Sequence, residues 1–152
     1  MEVLTLSIGL GILLGFFFWE KTGIHPGGWV VPGYMALTLL QPWTLVEIVL
    51  SSLLTFVFYR LSESQFLSFG RRKIVLILVG SILISSLVHW IGILYWRYIS
   101  NSEFRILGHI VPGLITLSME KQGVLRTISG ITICSCILRL VLIFLLGETL
   151  SL

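Results

Sequence analysis

The chain contains no aspartate: its seven acidic residues are all glutamate, set against seven arginines and three lysines for a net charge of +3 over 152 residues. Charged residues make up only 11%, less than half the roughly 25% of soluble domains, so a globule of this size would have too little polar surface to face water. The mild basic balance is no nucleic-acid footprint. No GxxxxGKS/T, GxSxG, HExxH or Cys-x-x-Cys motif is present, and Asp, a usual holder of Mg²⁺, is missing, which argues against a self-contained nucleotide hydrolase. The three histidines, His25, His89 and His109, are scattered, and their spacing does not gather them as metal ligands. Cys134 and Cys136 are two residues apart in a helical stretch, which turns their side chains about 200° from each other. They read as packing residues and not as a disulfide.

What fills the chain instead is apolar: 56% of residues are hydrophobic and the mean hydropathy is +1.03. Four stretches, 3–19, 43–59, 74–96 and 124–146, approach the roughly 20 helical residues needed to cross a bilayer. The first has no preceding basic residue and runs into Phe16-Phe17-Phe18-Trp19 where a signal peptide would have small residues, so it reads as a retained helix. Two shorter apolar segments, Gly28–Gln41 and Ile106–Met119, are interrupted by Pro-Gly. Twelve to fourteen helical residues span only about 18–21 Å of a hydrocarbon layer about 30 Å thick. The expected fold is therefore an all-α, multi-pass membrane protein in one domain, 1–152. It has four long transmembrane helices and two short re-entrant or half-membrane segments.

Those short segments copy each other. Gly28-Trp-Val-Val-Pro-Gly-Tyr-Met-Ala-Leu37 aligns without gaps on Gly108-His-Ile-Val-Pro-Gly-Leu-Ile-Thr-Leu117, with five of ten positions identical at an offset of 80. A doubled Val-Pro-Gly at matching places points to two internal repeats, roughly 1–70 and 71–152. Arg60, Arg71, Arg72 and Lys73 crowd one connection, which the positive-inside rule places in the cytoplasm. With re-entrant segments, the Pro-Gly regions and their cations Lys21, Arg97, Arg105 and Lys121 then belong to the outer face. Full crossing by the short segments would instead give three crossings per half and inverted repeats, and the sequence is compatible with both.

Pro32 and Pro112 suit the first turn of a helix, and Gly33 and Gly113 permit tight approach. Each pair either starts a half-helix whose free N–H groups attract carboxylate or phosphate, or marks a bend where helices pack closely. Glu47 lies inside the second long stretch and Arg126 near the start of the fourth. At the offset of 80 they fall at similar depth, and an isolated intramembrane charge is costly, so the two are expected to pair.

The blocks Glu20-Lys-Thr-Gly-Ile-His-Pro-Gly-Gly-Trp-Val-Val-Pro-Gly-Tyr34, Gln41-Pro42, Gly70-Arg-Arg-Lys73, Glu103-Phe-Arg105, Ile110-Val-Pro-Gly-Leu-Ile115 and Lys121-Gln-Gly123 together resemble the CapC/PgsC family. The likeness runs nearly end to end, although the first and last helices share only apolar character. That family supplies the small subunit of bacterial poly-γ-glutamate synthase in the cell membrane. The resemblance implies partners: a Mur-ligase-like CapB/PgsB-type subunit carrying ATP and Mg²⁺, and a CapA/PgsA-type subunit. It implies that this chain binds no cofactor, has no catalysis of its own, anchors the ligase and assists polymer synthesis or export. Within that picture Arg71, Arg72 and Lys73 dock the ligase or receive the polymer, or simply face water. Lys21, Arg105 and Lys121, beside the Pro-Gly segments, bind carboxylates, and Glu20 and Glu103 position those cations or face water. The alternative is a small duplicated transporter or channel for an anionic solute.

Overall fold

A computed structural model describes residues 2–39, 41–63, 71–96 and 105–147. Among them are six helices and no strand: α1 (Glu2–Thr22), α2 (Val31–Thr38), α3 (Pro42–Glu63), α4 (Arg71–Trp96), α5 (Arg105–Gln122) and α6 (Val124–Leu146). Three segments are long and apolar enough to cross a membrane, Pro42–Ser62, Arg72–Gly92 and Val124–Leu145. Large apolar side chains point outward on every long helix, from Leu13 and Phe17 through Val57, Leu83 and Trp90 to Leu125 and Phe144, the last two 86% and 90% exposed. The interior, by contrast, is rich in hydroxyls: Ser7, Thr38, Ser51, Ser52, Thr55, Ser81, Ser85, Thr116, Thr127 and Ser135 are all buried. An apolar exterior around small polar residues is the pattern of a bundle solvated by lipid. The core itself is Val31, Tyr34, Met35, Ile48, Val111, Ile115, Met119 and Ile131, drawn from α2, α3, α5 and α6.

The two Pro-Gly segments differ. Pro32 sits in the first turn of the eight-residue α2, as expected. Pro112 does not begin a helix: α5 starts seven residues earlier and runs for 18 residues with Pro112 inside it. Proline removes one backbone hydrogen bond, yet in a bundle the neighbouring helices can carry the interruption. Here α5 packs along both α3 and α4. The Thr116 hydroxyl lies at 2.8 Å from the Pro112 carbonyl and 3.0 Å from the Ser52 carbonyl of α3, within donating distance of both.

The glycines explain what the motif does. A Cβ on Gly33 would lie 2.8 Å from the Ile8 Cα and the Ser7 carbonyl oxygen, and one on Gly11 2.7 Å from the Gly33 backbone. α1 and α2 therefore touch backbone to backbone, and the Ser7 hydroxyl donates to the Gly33 carbonyl at 2.8 Å. Gly113 likewise faces α4, but there a Cβ would meet the side chains of Ser81 and Leu78 and not backbone. The middle helix of each half thus leans on the first helix of its own half. Its second large contact is with the last helix of the other half: α2 packs on α6, and α5 on α3.

Side-chain contacts fix the helix directions. Lys73, at the start of α4, pairs with Glu120 at the end of α5 and lies over Tyr59 near the end of α3. Gln122, just after, bonds to His25 beyond the end of α1. The ends of α1, α3 and α5 and the starts of α4 and α6 therefore share one end of the bundle, and α2 leads away from it. This overturns the expected separation of Lys21 and Lys121 from the Arg60–Lys73 connection.

Cys134 is buried, Cys136 is exposed, and both are free. The Gly33 contact yields a measurable contrast. Gly33→Ala should lower thermal stability in detergent by about 1–3 kcal/mol because nothing but backbone can give way. Gly9→Ala, whose Cβ meets nothing within 4 Å, should be neutral or raise stability by up to about 1 kcal/mol through helix propensity.

Candidate functional site

The shared end of the bundle carries the cations. Lys21 in the last turn of α1, Arg60 in the last turn of α3, Arg72 in the first turn of α4, Lys121 in the last turn of α5 and Arg126 in the first turn of α6 are all exposed. Glu20 is exposed beside Lys21, and no ion pair joins them. Lys73 is held differently: its ammonium is bonded to the Glu120 carboxylate, with the two side chains 23% and 25% exposed, and lies 5.4 Å from the centre of the Tyr59 ring. Because this pair neutralises itself, Lys73 is a structural residue of the α3–α4–α5 junction and does not stand free for docking.

Next to the pair, Gln122 clasps the loop before α2. Its side-chain oxygen accepts from the His25 N–H at 2.9 Å, and its amide nitrogen donates to the His25 carbonyl and to the Thr127 hydroxyl. Trp19 stacks on the His25 ring at 5.2 Å, and Trp29 meets both edge-on. Positive φ at Gly27 lets the loop turn beneath Ile131 of α6. The result is a basic rim with an exposed aromatic patch of Phe16, Trp19 and Trp29. Trp43 and Trp90 are exposed toward the other end, as at the two faces of a membrane protein.

Of the residues expected to bind carboxylates, Lys21 and Lys121 come to this rim. Arg105 begins α5 at the opposite end, with its side chain outside the described set, and Glu103 lies outside the described residues. Arg71 begins α4, and its side chain is likewise outside the described set. Pro32, Gly33, Pro112 and Gly113 are buried between helices.

Glu47 does not meet Arg126. Its carboxylate oxygen Oε1 lies 2.9 Å from Nδ1 of His89 in α4, while Arg126 is exposed at the far end of the bundle. His109 of α5 stands 5.9 Å from His89, ring centre to ring centre, and its Nδ1 is 3.3 Å from the Ser85 hydroxyl. The scattered positions of the three histidines do not by themselves show this second polar centre. The signal was there: Glu47, Ser51, Thr55 and Tyr59 recur every four residues, as do Ser81, Ser85 and His89, and such positions share a helix face. Among the described residues no group of three His, Cys, Asp or Glu side chains is arranged to hold a metal ion.

The comparisons with known proteins agree with the kinship seen in the motifs. The family described as Capsule biosynthesis CapC matches residues 10–128. The "PGA biosynthesis protein CapC" of Bacillus subtilis (strain 168) is 38% identical over 133 residues, covering 87% of this chain and 88% of that protein. The "Capsule biosynthesis protein CapC" of Bacillus anthracis is 39% identical over 131 residues, 86% of each. No solved structure matches the chain.

Double-mutant cycles separate the two pairings of Glu47. With thermal unfolding in detergent as the readout, Glu47→Gln and His89→Gln should couple by about 1 kcal/mol, as interhelical polar contacts in membranes do. Glu47→Gln and Arg126→Gln should be additive. Lys73→Gln and Glu120→Gln should couple by a similar amount, about 1 kcal/mol.

Proposed function

This chain belongs to the CapC capsule-biosynthesis family, and from that premise we propose that it is the membrane subunit of a poly-γ-glutamate synthase. It anchors an ATP-dependent, Mur-ligase-like subunit of the CapB/PgsB type, works beside a CapA/PgsA-type subunit, and assists synthesis and export of the polymer. The observation that carries this reading is the basic rim: Lys21, Arg60, Arg72, Lys121 and Arg126 exposed at one end, with Glu120 already neutralised by Lys73. Glu20 is the exposed acid among these cations; a surface with an excess of positive charge raises the local concentration of an anionic polymer, and a γ-linked glutamate chain bears one free carboxylate per residue.

The positive-inside rule puts this rim in the cytoplasm, with the chain embedded in the bacterial cell membrane. There a ligase with its ATP and Mg²⁺ would activate the growing carboxylate, and the rim would hold the polyanion and the ligase at the bilayer. In this orientation Lys21 and Lys121 lie inside, and the start of α1 lies outside. We further read α1–α3 and α4–α6 as inverted repeats. The doubled Val-Pro-Gly, the glycine contacts of α2 on α1 and α5 on α4, and the exchange of last helices between halves support that reading.

The test is the triple variant Lys21→Gln, Lys121→Gln, Arg126→Gln, expressed with its partner subunits. It should insert at the wild-type level while polymer yield falls at least about tenfold, and less ligase should co-purify with it. Unchanged yield and unchanged ligase recovery would remove the rim from the mechanism.

A further inference from the structure

The buried and half-buried polar residues between α3, α4 and α5 form three stripes with three- or four-residue spacing. On α3 these are Glu47, Ser51, Thr55 and Tyr59. On α4 they are Lys73, Ser81, Ser85 and His89, with Ile77 completing the spacing. On α5 they are His109, Thr116 and Glu120, with Gly113 between. At one end the stripes close on Glu47, His89 and His109, and at the other on Tyr59, Lys73 and Glu120. Glu47 and Tyr59 are twelve residues apart, about 18 Å along a helix axis. Ionisable groups thus cap a hydroxyl-lined seam that covers the middle part of a hydrocarbon layer about 30 Å thick.

We propose that this seam is a proton relay, with Glu47, His89 and His109 as its proton-binding site. Ionisable side chains inside a membrane are costly and characteristically mark ion or proton paths. The packing selects the proton over a hydrated ion. A Cβ at Gly113 would already overlap the Ser81 hydroxyl, and Thr116 reaches the Ser52 carbonyl at 3.0 Å, so no hydrated cation or anionic solute fits between the helices. Hydroxyls, in contrast, can accept and donate in turn once they rotate away from the helix carbonyls to which Ser51, Thr55, Ser81 and Thr116 donate.

The groups facing the site are Tyr34 from α2, within electrostatic reach of Glu47, Glu47 from α3, His89 and Ser85 from α4, and His109 from α5. Arg139 of α6 engages the Ala36 carbonyl of α2 at 3.4 Å. With one acid and two imidazoles, the form with His89 as imidazolium beside Glu47 as carboxylate carries no net charge. Gain or loss of a proton leaves a net charge in a medium of low dielectric constant. Uptake on one side is therefore matched by release on the other. The elementary step moves a proton from Nδ1 of protonated His89 to Oε1 of Glu47. One N–H bond breaks and one O–H bond forms, and imidazolium and carboxylate become imidazole and carboxylic acid without change in net charge.

The experiment uses the purified full-length chain in lipid vesicles loaded with a pH-reporting dye, with a pH gradient imposed and the membrane potential clamped by potassium and valinomycin. The gradient should decay about tenfold faster than in protein-free vesicles, as expected of a proton path through a membrane. Glu47→Gln and His89→Gln should return it to the protein-free rate, while the exposed Cys136→Ser leaves it at the wild-type rate. Wild-type decay no faster than that of protein-free vesicles, or wild-type decay in folded Glu47→Gln, overturns the proposal and leaves the seam as helix packing alone. Should Glu47→Gln and His89→Gln lose the wild-type elution profile, Ser85→Ala carries the test, because it spares the Glu47–His89 contact. It must slow decay at least about twofold, and an unchanged rate overturns the relay.

Discussion

A bundle whose outer surface is apolar must settle all its polar atoms internally, and that constraint organises this chain. Serine and threonine hydroxyls on α3, α5 and α6 turn back onto carbonyls of their own helices, as Ser51, Thr55, Thr116 and Ser135 do. Where a carboxylate enters, a counter-group from another helix is waiting: His89 for Glu47, Lys73 for Glu120. These cross-helix pairs fix which end of α3 lies beside which end of α4 and α5. Helix direction, and with it the gathering of cations on one rim, thus follows from where the polar groups find partners.

Much of this was legible in the sequence. Composition alone demanded lipid-facing helices, and α3, α4 and α6 fall almost where the apolar stretches lie. The α2 segment was recognisable as short because Pro32 and the glycines before it interrupt the chain on one side and Gln41-Pro42 on the other. The extent of α5 was not, because the sequence around Pro112 matches that around Pro32 while the packing around them differs. Gly27 and Gly28, with positive φ, break the backbone ahead of Pro32. Their counterparts near Pro112 include helical Gly108 and no such turn.

The site was less accessible. Charge counting sets Lys21 and Lys121 apart from Arg72 when the short segments are re-entrant, and it does not choose between that arrangement and full crossing. The contact of Lys73 with Glu120 is made across 47 positions of sequence, a separation at which no spacing rule operates. The pairing of Glu47 was misjudged for a related reason. An offset between repeats equates depths, but it does not say which faces meet, and α3 turns its polar face to α4 and α5. Four-residue periodicity would have shown that face, had hydroxyls been counted with the charges.

The clasp between Gln122 and His25 joins residues 97 apart, and α2 rests on α6, which follows it by almost the whole chain. During synthesis, then, the first three helices are made before the surfaces that secure them exist. α2 leans chiefly on α1 until α6 emerges, and eight helical residues are too few to cross a bilayer. The native arrangement is reached late, after the last helix is made. A product that stops before α6 lacks the surface on which α1, α2 and α5 all pack, so the last helix made is the one that joins the first two to the rest.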